Sequence, residues 1–218
     1  MKISSNTIFA IIAGTGLMFF ACKKKDEAVS QTVKVQYPTI TLKGDKYVTI
    51  DIGGSFSDPG ATLFDSITMQ SKDLAPTQSA VDNTTPGMYP IVYEGTNKYG
   101  FKSQEVRWVA VTPVSANEDI GGVYKRVPNG QVVNISKVSR GIYKCDNMGG
   151  VPGSPDYIYD TYFVQLSDTT LNFPSQPGPF GTVKSGSEVL IKSGSDTTLK
   201  WSVLGPGFGT AVRTFSHQ

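Results

Sequence analysis

Apolar and polar residues alternate in short runs along most of the chain after residue 36, a pattern typical of β-strands with one buried face. The first half has clear runs at residues 39–42, 47–52, 88–94 and 106–111. Glycine, proline, asparagine and aspartate cluster between these runs, where the chain must turn. Several short strands at this spacing predict a β-sandwich over residues 37–113.

The second half predicts another β-rich domain, over residues 118–218. Its most aromatic run is residues 157–166, where Tyr157 and Tyr159 would share one face of an extended strand. We expect that face to be the wetter one, although strands buried on both faces also contain such runs. The predicted fold class is therefore all-β, with a sandwich followed by a second sandwich or a barrel-like domain.

The junction between the two predicted domains is residues 112–117, which form a short linker. In the strand before it, alternation places Val109 and Val111 on one face and Trp108 on the other. If the valines face the sandwich core, Trp108 faces outward. We then expect Trp108 to lie against the second domain.

A repeat at an offset of 28 residues divides the end of the chain into two similar units. Residues 167–173 recur as residues 195–201, and residues 178–182 recur as residues 206–210. We interpret each unit as a strand–loop–strand element that begins at a Ser-Asp turn and ends at a Gly-aromatic-Gly loop. Within residues 167–173 and within residues 195–201, the alternate apolar residues are expected to face the core.

The N-terminus has the features of a lipoprotein signal peptide. A basic residue precedes an apolar stretch that is shorter than the about 20 residues needed to cross a bilayer as a helix. Residues 19–22, Phe-Phe-Ala-Cys, resemble a bacterial lipobox, in which the cysteine is acylated and becomes the new N-terminus. We expect a signal peptide over residues 1–21, lipid attachment at Cys22 and a flexible tether over residues 22–36. The other interpretation is an ordinary signal peptide with an incidental cysteine.

Composition narrows the function classes. The formal net charge of +2 offers no basic surface of the kind that binds nucleic acid. The single histidine is His217, and Cys145 has no partner once Cys22 is lipidated, so we expect Cys145 to be a buried, inert thiol. The sequence contains no metal, cofactor or Ser-His-Asp motif, and we expect no enzyme and no cofactor. A hydrolase stays an alternative only if a cleft brings two carboxylates together.

Four segments of the first domain follow one order: Asp-Pro-Gly-Ala at residues 58–61, Pro-Gly-Met-Tyr at 86–89, Asn-Lys-Tyr-Gly at 97–100 and Arg-Trp-Val-Ala-Val at 107–111. This order resembles the bacterial immunoglobulin-like (Ig-like) repeat of cell-surface proteins, related to the hyalin repeat. The chain departs from that family at residues 97–100, where the family commonly has Asp-x-x-Gly-Asn. An Ig-like domain before a β-rich domain is similar to a family of Bacteroidetes surface lipoproteins. That resemblance implies a lipid-anchored outer-membrane protein at the cell surface. Some members of the family are encoded beside glycan-uptake systems.

We expect the second domain to bind carbohydrate through aromatic side chains, because exposed rings stack on the apolar faces of sugars. Phe180 and Phe208 lie between glycines and prolines, where loop tips are expected. The candidate ligand-binding residues are Tyr157, Tyr159, Phe180, Trp201 and Phe208. Trp201 also lies on the strand face that is expected to pack in the core, and the competing interpretation of Phe180 and Phe208 folds these two loop rings over a barrel end. The alternative function is a structural or adhesion module that contacts another envelope protein. Taken together, the two hypotheses give the membrane, a glycan and an envelope protein as expected partners, and no nucleic acid.

Overall fold

The computed structural model describes residues 35–153, 155–194 and 196–218, so the predicted signal peptide, Cys22 and most of the predicted tether lie outside the described residues. Gln36–Gln218 form one compact unit. No helix in the described part of the chain is both long and apolar enough to cross a membrane. The strands are β1 (Thr39–Leu42), β2 (Tyr47–Ile50), β3 (Ala61–Asp65), β4 (Gln70–Leu74), β5 (Gln78–Ser79), β6 (Gly87–Thr96), β7 (Lys102–Val111), β8 (Gly122–Val127), β9 (Val132–Ser139), β10 (Ile142–Cys145), β11 (Thr161–Gln165), β12 (Leu171–Asn172), β13 (Gln176–Gly178), β14 (Gly181–Ser193), β15 (Asp196–Leu204) and β16 (Val212–His217), with a short 3-10 helix at Pro155–Tyr157.

Strands β1–β7 form the two sheets of a sandwich. One sheet has the order β1-β3-β4, and the other has the order β2-β7-β6-β5, in which β2 runs parallel to β7. The inward positions of both sheets supply one apolar core, which includes Ala61, Ile91, Tyr93 and Val109. The predicted Ig-like sandwich and the all-β fold class are thereby confirmed.

Strands β8–β16 form one sheet, in the order β12-β11-β10-β9-β8-β16-β15-β14-β13. The sheet curls so that its first strand, β12, approaches β14 near the other edge. The backbone N–H of Leu190 in β14 donates to the carbonyl of Thr169, just before β12, at 2.8 Å. The N–H of Ser185 likewise donates to the carbonyl of Phe173 at 3.3 Å. The second domain is therefore barrel-like, one of the two architectures that the sequence left open.

Large aromatic side chains fill the inside of the curled sheet. The rings of Trp201 and Phe215 stack at 4.3 Å between centroids, and those of Phe163 and Phe173 stack at 4.6 Å. Cys145 lies in the same core, and burial raises the pKa of its thiol to about 12. The thiol is therefore protonated at neutral pH, as expected of an inert core cysteine.

Part of the outer face of the curled sheet packs on the sandwich. Trp108 of β7 is buried there against Ile142 of β10 and Val164 of β11. Beside them the rings of Tyr47 and Tyr162 stack at 5.0 Å between centroids. The prediction that Trp108 faces the second domain is confirmed.

Residues 157–166 do not form one continuous strand, so that prediction was wrong in part. Only Thr161–Gln165 is a strand, and Tyr157 ends the 3-10 helix that begins at Pro155. Proline has no N–H and a fixed φ, which suits it to the first turn of a helix. Phe163 and Val164 are both fully buried, on opposite faces, so β11 is the strand covered on both sides that the alternative interpretation described.

Candidate functional site

Three of the five predicted aromatic residues meet at one end of the barrel-like domain. Phe180 lies in the turn between β13 and β14, Phe208 lies in the loop between β15 and β16, and Tyr157 lies in the 3-10 helix. The Tyr157 ring centroid is 5.2 Å from that of Phe180 and 5.3 Å from that of Phe208. We call Tyr157, Phe180 and Phe208 the aromatic cluster.

The aromatic cluster is exposed at one side and buried at the other. Phe180 is 42% exposed, Tyr157 is half-buried, and Phe208 is only 8% exposed. Gly207 favours this arrangement, because its φ of +82° is one that residues with a side chain rarely adopt. Phe180 is thus the ring that a ligand can reach, with Tyr157 packed against it and Phe208 packed against Tyr157.

Tyr159 belongs to the wall of the barrel rather than to the aromatic cluster. Its side chain is half-buried and packs against the core of the second domain. Burial raises the pKa of its hydroxyl to about 12. Its Oη lies 3.3 Å from the position that a Cβ on Gly178 would occupy, so it points toward β13. The hydroxyl is buried and has no hydrogen-bond partner among the described residues.

Trp201 is a correction to the predicted set. Its side chain is 0% exposed, and its indole N–H donates to the carbonyl of Met148 at 2.7 Å. The reason is its position on the inward face of β15, in the middle of the sheet, where Leu199 and Val203 are buried too. Trp201 therefore cannot contact a ligand at the surface, and the five residues do not line one exposed platform.

Two arginines near the aromatic cluster, Arg126 and Arg213, were not among the site residues predicted from the sequence. Arg213 donates to the carbonyl of Phe208 at 2.6 Å, and its Cζ lies 5.9 Å from the centroid of the Phe208 ring. Arg126 donates to the carbonyls of Gly149 and Gly150, both at 3.1 Å. A signal was present for Arg213, because it alternates with the apolar core residue Phe215 and so occupies an inward position.

A groove of about 280 Å³ runs along the junction of the two domains. Both domains contribute polar groups to it, and Trp108 and Tyr162 form its apolar part. Its two acids are Glu105 and Asp160. Lys46 pairs with Glu105 at 2.6 Å, and Lys144 pairs with Asp160 at 3.2 Å. Two carboxylates thus line one groove, and each of them forms an ion pair with a lysine.

Asn97 itself closes the turn at which the first domain differs from the Ig-like repeat that it resembles. The Asn97 carboxamide oxygen accepts from the N–H groups of Tyr99 and Phe101, both at 3.0 Å. Its Nδ2 donates to the carbonyl of Gln36 at 2.6 Å. Within residues 35–218 as described, no three His, Cys, Asp or Glu side chains come together as a metal site.

Comparison with known proteins identifies the first domain. Residues 40–111 match the family model described as "Bacterial surface protein, Ig-like domain". The first domain is Ig-like. This Ig-like domain indicates a protein of the bacterial envelope or surface.

A search of curated proteins found no match. Among solved structures, the chain is similar to the crystal structure of the lipoprotein BT2262 from Bacteroides thetaiotaomicron. The two chains are 22% identical, the TM-score is 0.38, and the alignment covers 83% of this chain and 100% of that one.

Proposed function

We propose that this protein is a lipid-anchored lipoprotein of the bacterial outer membrane, exposed at the cell surface, that binds carbohydrate through the aromatic cluster of its C-terminal domain. The lipobox-like residues before Cys22 and the Ig-like domain support the location. The anchor itself is tested by Cys22→Ser, which should move the protein from the membrane fraction to the soluble fraction.

The observation that carries the binding function is the exposed ring of Phe180 supported by Tyr157. A pyranose has an apolar C–H face, and stacking this face on an aromatic ring releases the water between them. Because Tyr157 packs on the Phe180 ring and Phe208 packs on Tyr157, little side-chain freedom is lost when a sugar binds. Asp156, exposed beside Tyr157, offers carboxylate oxygens that accept hydrogen bonds from sugar hydroxyls.

Isothermal titration and affinity electrophoresis of the full chain against a panel of polysaccharides test this function. We expect binding to at least one glycan, and Phe180→Ala should weaken it at least about tenfold, because burying a phenylalanine side chain contributes about 1.5–3 kcal/mol. Tyr99→Ala is the matched control, since Tyr99 is an aromatic side chain 61% exposed in a turn of the other domain. Absence of binding across the panel by a folded wild-type protein would overturn the proposal.

The alternative is a structural or adhesion module that contacts another envelope protein. The observation that favours it is a set of apolar side chains on the outer face of the barrel-like domain, away from the sandwich. Val127, Val189 and Ile191 are exposed there, interspersed with polar residues. This alternative predicts that Ile191→Lys abolishes cross-linking to one defined partner in intact cells. It also predicts that Phe180→Ala leaves that cross-link unchanged.

A further inference from the structure

Two arginines at the aromatic end of the barrel-like domain have no acidic partner among the residues that the structure describes. Arg213 is only 5% exposed and Arg126 is half-buried. None of the ion pairs formed by the described residues includes either of them. The Ig-like domain offers the contrast, because its fully buried Arg107 pairs with Asp58. Buried charges in proteins are normally paired, so this exception requires an explanation.

Backbone carbonyls satisfy only part of the hydrogen-bonding capacity of these two side chains. Arg213 donates to the carbonyls of Phe208 and Ala211, and Arg126 donates to those of Gly149 and Gly150. The Nε atoms of both arginines are buried without an acceptor. Carbonyl oxygens are neutral, so these bonds leave both positive charges in place.

The two arginines are neighbours in the curled sheet, because Arg126 of β8 pairs in register with Phe215 of β16 and Arg213 lies two residues from Phe215 on the same inward face. Burial, and then the charge of Arg126, lowers the pKa of the Arg213 guanidinium. Two like charges held together at low dielectric are unfavourable unless an anion compensates them. Arg126 and Arg213 therefore create a local positive potential at this end of the barrel, and Asp156, which is exposed at the same end, pairs with neither of them.

This positive potential lies beside the aromatic cluster. Arg213 contacts Phe208 through both its ring and its carbonyl oxygen. Arg126 lies along Gly150, where a Cβ would come within 2.6 Å of the Arg126 Cδ. Asn129 donates to the same Gly150 carbonyl at 3.1 Å, which holds the neighbouring turn in place. The charged groups and the sugar-stacking ring thus occupy one end of one domain.

We propose that the ligand of the aromatic cluster carries an anionic group, a carboxylate or a sulfate on an acidic glycan, and that Arg126 and Arg213 recognise it. This inference rests on the proposed carbohydrate-binding function. Arg126, the more exposed of the two, contacts the anion directly, since guanidinium groups bind carboxylates and sulfur or phosphorus oxyanions through paired hydrogen bonds. Arg213 is more deeply buried and acts as a positioning residue, because it holds Phe208 and its positive charge adds to that of Arg126.

Thermal melting with small anions tests the arginine pair without a glycan. At constant ionic strength, millimolar sulfate or glucuronate in place of chloride should raise the melting temperature of the wild-type protein by several degrees. Arg126→Gln should abolish this increase, and Arg126→Lys should retain part of it. Arg140→Gln is the matched control, because Arg140 is a half-buried arginine paired with Asp51. An equal increase in the wild type and Arg126→Gln, or none in the wild type, would overturn the arginine site.

Titration with acidic and neutral polysaccharides tests the ligand class. We expect at least about tenfold tighter binding of polygalacturonate or a sulfated galactan than of the matched neutral galactan. Tighter binding of polygalacturonate would identify the anionic group as a carboxylate, and tighter binding of the sulfated galactan would identify it as a sulfate. Arg126→Gln should remove the preference and leave neutral binding unchanged, whereas Phe180→Ala should weaken both. Equal binding of neutral and acidic glycans would overturn this inference and leave the proposed function standing. Binding of neither class would overturn the proposed function. In that case the melting experiments with small anions still decide whether the two arginines bind an anion.

Discussion

The buried guanidinium of Arg107 explains two sequence motifs of the Ig-like domain together. Arg107 lies in the closing Arg-Trp-Val strand, and its partner Asp58 begins the Asp-Pro-Gly turn. The Tyr93 hydroxyl also donates to Asp58, and Arg107 Nε donates to the carbonyl of Asp45 at 2.9 Å. The motif residues that identified the fold therefore have a structural role, because they satisfy one charge buried between the sheets.

Replacing Asp58 should destabilise the protein strongly. Asp58→Asn leaves Arg107 buried without a negative charge, and we expect the free energy of unfolding to fall by about 3–5 kcal/mol. Asp51→Asn is the control, since Asp51 belongs to a solvent-exposed pair with Arg140 and should cost less than about 1 kcal/mol. Urea denaturation measures both values. Similar losses for the two variants would contradict the assigned role of Asp58.

Asp82 should titrate at unusually low pH. The Thr84 hydroxyl donates to its carboxylate at 2.6 Å and the Thr84 N–H at 2.9 Å, and these bonds lower the pKa of Asp82 to about 2. Because the folded pKa lies below the unfolded one, these bonds stabilise the fold above pH of about 3.9, and their contribution is lost as pH falls through about 2. Thr84→Val should raise the Asp82 pKa measured by NMR, whereas Thr77→Val should leave it unchanged.

The repeated units of the second domain have similar sequences but different strands. The first copy has the two-residue strand β12, and the second has the long strand β15. Prolines explain much of this difference: Pro174 follows β12 and Pro177 lies in β13, and proline cannot donate to a β-ladder. The core-facing residues are nevertheless equivalent, because Phe173 and Trp201 meet with centroids 5.0 Å apart. Side-chain direction was thus predictable from the repeat, but strand length was not.

The irregular part of β14 supplies a test of how the barrel closes. The register shifts between Gly186 and Val189, and Ser187 has a φ of +56°. We expect Ser187→Gly to be neutral or to stabilise by up to about 1 kcal/mol, because glycine adopts this conformation without strain.

The neighbouring Ser185 hydroxyl accepts from the N–H of Phe173 at 2.8 Å and donates to Glu188 at 2.5 Å. Ser185→Ala should therefore cost about 1–3 kcal/mol in urea denaturation, and an equal effect of both substitutions would contradict this account.

The two domains share an apolar interface that should couple their unfolding. Trp108 is buried against the second domain. Polar contacts add to it: the Thr112 hydroxyl donates to the carbonyl of Gln165 at 2.7 Å, and the Thr49 hydroxyl donates to the carbonyl of Arg140 at 2.6 Å. Thr112 and Val114 of the predicted linker are themselves buried. The Ig-like domain therefore presents the barrel-like domain in a fixed orientation.

Trp108→Ala tests this coupling. We expect one calorimetric transition for the wild type and two for the variant, with a loss of about 3–5 kcal/mol in the stability of the whole. Tyr99→Ala, an exposed aromatic substitution in the same domain, should leave the single transition intact. A single transition for Trp108→Ala, shifted no more than that of the control, would show that burial of Trp108 does not couple the unfolding of the two domains.

Local sequence was sufficient to predict four strands of the sandwich (β1, β2, β6 and β7), its Ig-like character, the burial of Cys145, and the loop positions of Phe180 and Phe208. These features depend on the two-residue period of strands and on the turn chemistry of glycine, proline and aspartate, which act over a few neighbouring residues. The same period cannot tell which face of a strand another element will cover. The exclusion of Tyr157 from strand β11 and the placing of Arg126 and Arg213 at one end of the barrel follow from pairings between segments far apart in the chain. Those pairings also decide which aromatic rings a ligand can reach.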